Sequence, residues 1–477
     1  MRPLPLASLL SVLAAMAFPF AALAAAAPTP AKPNIIFVLF DDLGYGQPTC
    51  FRKDSDFTTP NLDRLAREGM RFTDAHAAAS LCTPTRYGVL TGRYPSRIGQ
   101  YGVLTTYSPP IIERERLTVG KFLQQQGYHT ACFGKWHLGM NWSARHGKGE
   151  SDAEPVGTSV TDGPTTRGFD LFWGYTHARN IGMIMENDRV VTNVEPVEVQ
   201  PLLARRVVEH IDARARAGSP FFMYVPLSPP HTPIVPAPDF AGKTHSSDKE
   251  AGYGDWLYQG DWVLGQILAA LERNRLAENT LIIATSDNGA AGRPYPPLRG
   301  AKASIWEGGH REPFIARWPG KIKVGAVCDD VICHNDLMAT CAELLGAKLP
   351  PTAGEDSVSI LPDLLGTAKG PVREATVHQS GRGDLAIRQG PWKLVFLKSG
   401  ERALYNLKAD LGETQNVAAA NPDVVKRLTG LMERYISNGR STPGAAQKNK
   451  VQIRLDGTAK PAKGKKKRDQ VIDPRFD

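Results

Sequence analysis

The stretch that decides the fold is NIIFVLFDD, residues 34–42. Six consecutive apolar residues, with no polar residue alternating between them, predict a strand buried on both faces, as in a parallel sheet. Similar short runs recur at residues 130–133, 221–225 and 281–285. Helical patterns lie between them. The sequence therefore predicts an α/β fold with a large mixed, mainly parallel sheet flanked by helices.

Polar side chains follow each of these runs. In open α/β sheets, ligand sites form beyond the carboxyl ends of the strands, so we expect these side chains to meet at one edge of the sheet. In chain order they are Asp41, Asp42, Lys135, His137, His231, Asp287 and Asn288.

Three of these side chains are carboxylates and a fourth is an amide. Asp41, Asp42, Asp287 and Asn288 form the oxygen donor set that Ca²⁺ or Mg²⁺ prefers. Without a cation, the carboxylates would repel one another. A single Asp after a strand often only caps the next turn, but two such pairs together favour a metal site.

A second informative stretch is SLCTPTRYGVLTG, residues 80–92. Pro84 suits the first turn of a helix, and Gly92 suits its end. Cys82 is then expected at the helix N-terminus, where exposed N–H groups favour negative charge, with Arg86 one turn further on the same face. A nucleophile beside a fixed cation can act on an anion. The alternative is a structural cysteine next to a surface arginine.

The motif Cys82-x-Pro84-x-Arg86, followed by LTGR at residues 90–93, resembles the signature of the type I, formylglycine-dependent sulfatases. These arylsulfatase-like enzymes belong to the alkaline-phosphatase-like superfamily. One departure is Thr85, where the family more usually has Ser. The resemblance covers roughly residues 33 to 420 and includes residues 34–42, GKWHLG at 134–139, SPPHTP at 228–233, SDNG at 286–289, GAK at 300–302, EGGHREP at 307–313 and LYNL at 404–407.

The resemblance implies that this protein hydrolyses sulfate esters. A maturation enzyme would convert Cys82 to formylglycine. The hydrate of that residue, together with Asp41, Asp42, Asp287 and Asn288, would hold one divalent cation, expected to be Ca²⁺. One hydroxyl of the hydrate would attack sulfur, with help from Asp287.

The remaining site residues have implied roles of the same origin. Arg86 and Lys135 would hold the hydrate, and His137 would take the proton of its second hydroxyl. His231 and Lys302 would bind the sulfate and protonate the leaving alcohol. Taken alone, His137 or His231 could simply order a loop, and Lys302 resembles any surface lysine.

Two other functions compete with sulfate ester hydrolysis. A phosphatase or phosphodiesterase of the same superfamily is disfavoured because those relatives more often use Ser or Thr at the position of Cys82. An inactive protein that binds sulfated glycans is disfavoured by the full set of predicted catalytic groups.

We expect the substrate to be a sulfated carbohydrate, because loops 141–166, 177–186 and 292–298 carry cationic and aromatic residues. These residues are Arg145, His177, Arg179, Arg293 and Tyr295.

The N-terminus predicts the compartment. Residues 1–24 read as a cleaved signal peptide, because Arg2 precedes an apolar run that ends in ALA at 22–24. A retained anchor is the alternative. We therefore expect an exported protein, periplasmic or secreted, with no membrane span in the mature chain. Six cysteines in 477 residues are too few for a disulfide scaffold, and their spacing is not that of a zinc site.

The rest of the chain divides by composition. With 42% hydrophobic and 22% charged residues, the chain is neither disordered throughout nor collagen-like. We expect a catalytic domain at 33–350 and a C-terminal α+β subdomain at 351–440, with a hairpin between strands at 384–397 and 403–407. Residues 441–477 are expected to be a basic, disordered tail that carries most of the net charge of +9. No nucleic acid partner is expected.

Overall fold

The strand predicted at residues 35–40 spans Asn34–Asp41 and lies in the interior of a ten-stranded sheet. The structure, a computed structural model, describes residues 32–149, 152–246 and 252–457. The described residues belong to one compact unit that begins at Lys32. The predicted signal peptide lies outside the described residues.

The described part of the chain contains eighteen strands and nine α-helices. The strands are β1 (Asn34–Asp41), β2 (Met70–Phe72), β3 (Ala75–His76), β4 (His129–Lys135), β5 (Asn141–Trp142), β6 (Val160–Asp162), β7 (Leu171–Tyr175), β8 (Met183–Glu186), β9 (Arg189–Asn193), β10 (Phe221–Pro230), β11 (Thr280–Ser286), β12 (Phe314–Arg317), β13 (Ala326–Cys328), β14 (Ile332–Cys333), β15 (Thr376–Gln379), β16 (Leu385–Gln389), β17 (Trp392–Phe396) and β18 (Arg402–Asn406). The helices are α1 (Pro60–Glu68), α2 (Cys82–Thr91), α3 (Val119–Gln125), α4 (Val199–Ala217), α5 (Tyr253–Arg273), α6 (Glu307–His310), α7 (Leu337–Leu344), α8 (Leu361–Leu364) and α9 (Pro422–Ser437).

The large sheet has the order β13-β2-β12-β11-β1-β10-β4-β7-β8-β9. Five neighbouring pairs are parallel, among them β1 with both β10 and β11. Four pairs are antiparallel, and they lie toward the two sides of the sheet. The predicted mixed, mainly parallel sheet is confirmed.

Both faces of this sheet are covered, which explains why its central strands lack polar alternation. Along β1, Ile35, Phe37 and Leu39 face one hydrophobic cluster, and the residues between them face another. Helices α2, α3 and α7 pack into the first cluster, and α1, α4 and α5 into the second. Burial of this kind contributes roughly 25 cal/mol per Å² of apolar surface. Among the described residues, no helix has the length and apolar character needed to cross a bilayer.

A second, four-stranded antiparallel sheet, β15-β16-β17-β18, confirms the predicted C-terminal antiparallel sheet. One expectation about it was wrong. Residues 384–397 form two strands rather than one, because the chain reverses at Gly390, whose φ is +54°. The predicted hairpin between β17 and β18 is present. Helix α9 packs against this sheet through Leu428, Leu431 and Met432.

Two further segments differ from the sequence expectation. The stretch 141–166, expected to be an irregular loop, contains the short antiparallel pair β5 and β6. Residues 441–457, expected to belong to a disordered tail, lie along the body of the protein. Lys450 N donates to Arg97 O at 2.8 Å, and Arg93 donates to Lys448 O at 2.7 Å. The remainder of the predicted tail lies outside the described residues.

Candidate active site

The two predicted acidic pairs lie side by side at the carboxyl edge of the large sheet. Strand β1 pairs with β11 so that Phe40 is opposite Ser286, which brings Asp41 and Asp42 beside Asp287. Asp287 N donates to Phe40 O at 3.0 Å, and Asp42 N donates to Asp287 Oδ1 at 3.1 Å. Asp42 has a left-handed φ of +67°, so the chain turns sharply where the strand ends. All three carboxylates are buried.

Each of these carboxylates contacts a buried cation. Lys135 Nζ lies 2.5 Å from Asp41 Oδ2, and Lys302 Nζ lies 2.7 Å from Asp42 Oδ1. Arg86 donates to Asp287 Oδ2 from Nε and Nη2, at 3.0 and 2.7 Å. Burial alone would raise the pKa of Asp41, but Lys135 and the other cations outweigh it and hold that pKa below its usual range. Burial, followed by the charge of Asp41, raises the pKa of Asp287.

Cys82 is the first residue of α2, and its thiol lies among these carboxylates. One ligand atom each from Cys82, Asp41 and Asp287 falls within 4.8 Å of the other two. The helix ends as predicted, with Gly92 in the left-handed region at φ +63° and its N–H bonded to Gly88 O. Burial raises the pKa of the Cys82 thiol, although Lys135 and Lys302 act in the opposite direction. As encoded, the residue is therefore a weak nucleophile at neutral pH.

The donor atoms of this cluster fit a hard divalent cation. Asp41 Oδ1 and Asn288 Oδ1 are both buried, and neither has a hydrogen-bond partner within the described ranges. Asn288 Nδ2 donates to Asp42 Oδ1 at 2.7 Å, so its amide oxygen is left as the acceptor. Buried oxygens without a donor carry a desolvation penalty that a cation removes. Asp41, Asp42, Asp287 and Asn288 would hold this cation, and it would add positive charge at the sulfate.

His137 does not continue the strand that ends at Lys135. Its φ of +55° breaks the strand after Lys135, so the two side chains do not share one face of an extended segment. Its Nε2 lies 2.9 Å from Leu104 O, which assigns the ring proton to that nitrogen. Its Nδ1 is buried and has no hydrogen-bond partner in the described part of the chain. Burial and Lys135 lower the pKa of His137, so Nδ1 is a free proton acceptor at neutral pH.

His231 and Lys302 lie on the Asp42 side of the cluster. His231 Nε2 is 3.8 Å from Asp42 Oδ2, and 17% of its side chain is exposed, so it borders the opening of the site. Burial, followed by Lys302, lowers the pKa of His231 to about 4. Lys302 also follows a turn of left-handed backbone at Gly300, whose φ is +75°.

The loop that carries Lys302 is held by the C-terminal sheet. Ala303 N donates to Ser80 O at 2.8 Å, and Gly381 N donates to Ala303 O at 3.0 Å. The same loop leads into α6, where Glu307 is buried against Lys393 of β17 at 3.0 Å. The sequence indicated Glu307 only as part of the stretch at 307–313 and gave no role to Lys393. A lysine inside the apolar run of β17 was the available signal.

A further buried acid, Glu312, lies near the site. Burial, followed by Asp287 and Asp42, raises the pKa of Glu312 well above its usual range. Neither of its carboxylate oxygens has a hydrogen-bond partner within the described residues. Around Cys82, the carboxylates of Asp41, Asp42 and Asp287 pair with the cations of Lys135, Lys302 and Arg86.

The loop residues expected to contact substrate occupy two places. His177 lies next to His137, with ring centroids 5.7 Å apart, and accepts from Arg179 N at 3.2 Å. Arg145 stacks on Tyr107, 4.1 Å from the ring centroid. In the loop after β11, the remaining contacts are Arg293 on Tyr253 at 3.6 Å and Arg52 on Tyr295 at 4.6 Å. Cationic and aromatic groups thus occur together in both places.

The structure brings the predicted site residues into one buried group. Direct contacts link Asp41, Asp42, Asp287 and Asn288 with the predicted cations and His231. His137 is linked through α2, since Thr83 Oγ1 donates to His137 O at 3.0 Å. The catalytic and metal-binding roles assigned to these residues remain predictions.

The sequence and the fold that form this site match a known family. Residues 33–347 match the model of the Sulfatase family, and the chain belongs to that family. Its large sheet with a small C-terminal antiparallel sheet is the alkaline-phosphatase-like fold of sulfatases. The protein is therefore a sulfuric ester hydrolase.

Similar proteins span nearly the whole chain. An N-acetylgalactosamine-6-O-sulfatase of Bacteroides thetaiotaomicron is 31% identical, with 84% of this chain and 93% of that protein covered. Human arylsulfatase A is 34% identical, with 86% and 89% covered. Among solved structures, Ps i-CgsB in complex with k-i-k-neocarrahexaose superposes with a TM-score of 0.75 at 26% identity, covering 87% of this chain and 95% of that one.

Proposed function

We propose that this sulfatase acts through formylglycine made from Cys82, with one bound Ca²⁺. The observation that carries the proposal is the position of the buried Cys82 thiol among Asp41 and Asp287. An ionised thiol is disfavoured there, because burial and two neighbouring carboxylates oppose its negative charge. As the hydrate, this residue supplies one hydroxyl to attack sulfur and a second to expel sulfate afterwards. Both are oxygen donors, which suit a hard cation better than a thiolate does.

The charges of the site support an anionic substrate. The carboxylates Asp41, Asp42 and Asp287 are balanced by Lys135, Lys302 and Arg86. A divalent cation would add two positive charges in a buried setting, where electrostatic attraction is strong. A sulfate monoester carries one negative charge, so the loaded site attracts it and stabilises charge that moves onto the leaving oxygen.

The two histidines suit opposite proton movements. His137 offers a free Nδ1 and can accept the proton of the second hydroxyl. His231 is partly exposed at the opening, where the leaving alcohol would emerge, and a bound sulfate anion raises its pKa toward neutrality. Lys302 remains charged because Asp42 holds its pKa above the usual value despite burial. We assign Lys302 to charge neutralisation at the sulfate and His231 to protonation of the leaving oxygen.

We propose a sulfated carbohydrate as the substrate. Similarity to an N-acetylgalactosamine-6-O-sulfatase and to a protein solved with a neocarrahexaose supports this class. The stacked pairs Arg145 on Tyr107 and Arg293 on Tyr253 offer the flat and cationic surfaces that sulfated sugars contact. Export of the protein, with removal of residues 1–24, would give it access to polymeric glycans. The N-terminal residue of the secreted protein, measured by mass spectrometry, tests that cleavage.

The mass of the tryptic peptide 72–86 tests the central proposal. Conversion of the Cys82 thiol to an aldehyde removes about 18 Da. We expect that loss in protein from its native host, and we expect Cys82→Ala to abolish hydrolysis of 4-nitrophenyl sulfate. Cys341→Ala, a buried cysteine in α7, is the matched control and should remain active. Full activity with an unmodified peptide would refute the proposed nucleophile.

A further inference from the structure

A second group of metal-ligating side chains lies at the edge of the large sheet. One ligand atom each from Cys328, Asp330 and Asp363 falls within 4.8 Å of the other two. Cys328 ends the edge strand β13, and Asp330 follows two residues later. Asp363 lies in α8, so two separate segments of the chain meet at this point.

Asp363 is the residue that makes this cluster unusual. Its side chain is buried, with the residue only 4% exposed, yet no cation or N–H group in the described part of the chain satisfies either carboxylate oxygen, and the nearest polar group is the like-charged Asp330. Other buried acids nearby are paired: Asp336, for example, accepts from Arg373 at 2.8 and 3.0 Å. A buried carboxylate without a donor is costly, so a positive partner is expected between Asp363 and its two neighbours.

We propose that Cys328, Asp330 and Asp363 bind a zinc ion that ties β13 to α8. One sulfur and two carboxylate oxygens are zinc ligands, whereas Ca²⁺ and Mg²⁺ avoid thiolates. Three protein ligands leave a fourth position for water. Cys328 and Asp330 are partly exposed, so the ion has a route from solvent. On binding, the Cys328 thiol releases its proton to solvent as the sulfur–zinc bond forms.

The site is independent of the active site and goes beyond the proposed function. Strand β13 lies four strands from β1, which is about 19 Å at ~4.8 Å per strand. The expected role is structural, because an edge strand of only three residues gains a link to the segment that follows α7. The backbone of Cys328 is already fixed, since Thr73 N donates to Cys328 O at 2.9 Å.

The competing explanation is a proton shared between Asp330 and Asp363. Burial, followed by the charge of Asp330, raises the pKa of Asp363, as either explanation requires. The two explanations differ in the role of the thiol. A shared proton needs only the two carboxylates, whereas zinc binding also needs Cys328.

Metal content measured on the purified full-length protein tests the proposal. The protein is equilibrated with zinc in excess Ca²⁺, so that the active site holds Ca²⁺, and bound metal is counted by mass spectrometry. We expect one equivalent of zinc in the wild type and its loss in Cys328→Ser and Asp363→Asn. Asp329→Asn changes an adjacent exposed carboxylate outside the cluster and should keep the zinc. Zinc retained by Cys328→Ser, or absent from the wild type, would overturn the proposal.

Thermal unfolding provides a second readout. In excess Ca²⁺, added zinc should raise the Tm of the wild type by about 2 °C or more, as expected for a ligand that binds only the folded state. The Tm of Cys328→Ser should not respond to zinc. Turnover of 4-nitrophenyl sulfate should stay within about twofold of wild type in all three variants. An equal zinc response in Cys328→Ser would refute the assignment even if that variant is somewhat less stable.

Discussion

Replacement of Lys393 by methionine should destabilise the fold and weaken catalysis together. Lys393 Nζ lies 3.0 Å from Glu307 Oε1, 2.8 Å from Glu413 Oε1 and 3.1 Å from His310 Nε2. The side chains of Lys393, Glu307 and Glu413 are fully buried. Methionine has a similar length but no charge, so the variant leaves two buried carboxylates facing each other.

The expected loss in the free energy of unfolding depends on the contacts that Glu307 and Glu413 retain without Lys393. Glu307 still contacts Arg311 and Arg388, at 3.3 and 3.4 Å. Among the described residues, the Glu413 carboxylate keeps the backbone N–H of Glu307 as its donor, at 2.7 Å. Removing one partner of a buried ion pair costs about 3–5 kcal/mol, so we expect the free energy of unfolding to fall by that amount at pH 7.5. Because Glu307 begins α6 just beyond the Lys302 loop, we also expect kcat/KM to fall about tenfold to a hundredfold.

The pH dependence gives the prediction a specific signature. Burial already raises the pKa of Glu413 above that of an exposed glutamate, and Lys393 opposes the shift. Without Lys393, the folded state binds a proton at Glu413 more tightly than the unfolded state does. Such a group contributes stability at low pH and loses it as pH rises through the folded pKa. The deficit of the variant should therefore shrink between pH 7.5 and pH 5.

Urea unfolding of the wild type, Lys393→Met and the double variant Lys393→Met/Glu413→Gln measures these effects. The double variant should recover most of the lost stability, since the uncompensated charge is gone. Lys408→Met, an exposed lysine just beyond β18, serves as the control. If Lys393→Met lies within about 0.5 kcal/mol of wild type at pH 7.5, the ion cluster does not hold α6 and the reasoning fails.

Three other outcomes follow from the same contacts. Arg86→Lys should lower kcat for 4-nitrophenyl sulfate at least about a hundredfold, because an ammonium cannot replace the forked contact with Asp287; near-normal kcat would contradict this. Removal of bound cation by a chelator should lower the Tm by several degrees, because the acidic cluster then loses a counter-charge, and added Ca²⁺ should restore the Tm. An unchanged Tm would argue against the cation site. Burial lowers the pKa of His310 and His378 below 6.5, so the unfolded state binds more protons below that pH; the free energy of unfolding should fall as pH drops from 7 to 5, and a flat profile would refute it.

The parts of the fold that the sequence predicted are those encoded by local patterns. The apolar run 35–40 has no polar alternation, and its strand is buried on both faces. Pro84 and Gly92 mark a helix whose observed end is at Thr91. The acidic pairs that follow β1 and β11 meet because neighbouring parallel strands end at the same edge. In each case, a few adjacent residues determine the result.

The parts that the sequence did not predict depend on distant contacts or single backbone angles. The left-handed φ of His137 fixes which ring nitrogen is free, and no pattern in GKWHLG reveals it. Residues 441–457 read as a solvated tail by composition, yet Lys450 N donates to Arg97 O, and the Arg93 side chain donates to Lys448 O. The cluster of Cys328, Asp330 and Asp363 joins residues up to 35 positions apart in the chain. Because it contains a single cysteine and two aspartates, the spacing of the cysteines could not predict it.

The division of the chain into two sheets has a consequence for the chemistry. The large sheet supplies the acidic cluster and Lys135 through the ends of its strands, which rigid backbone pairing holds in place. Lys302 lies on a loop whose backbone bonds run to Ala290, just beyond β11, and to Ser80 and Gly381. Ser80 N in turn donates to Gln379 O of β15 at 3.0 Å. The C-terminal sheet therefore helps to set the distance between the segment that carries Cys82 and Lys302, so changes in β15 or β17 should alter catalysis while the acidic cluster remains intact.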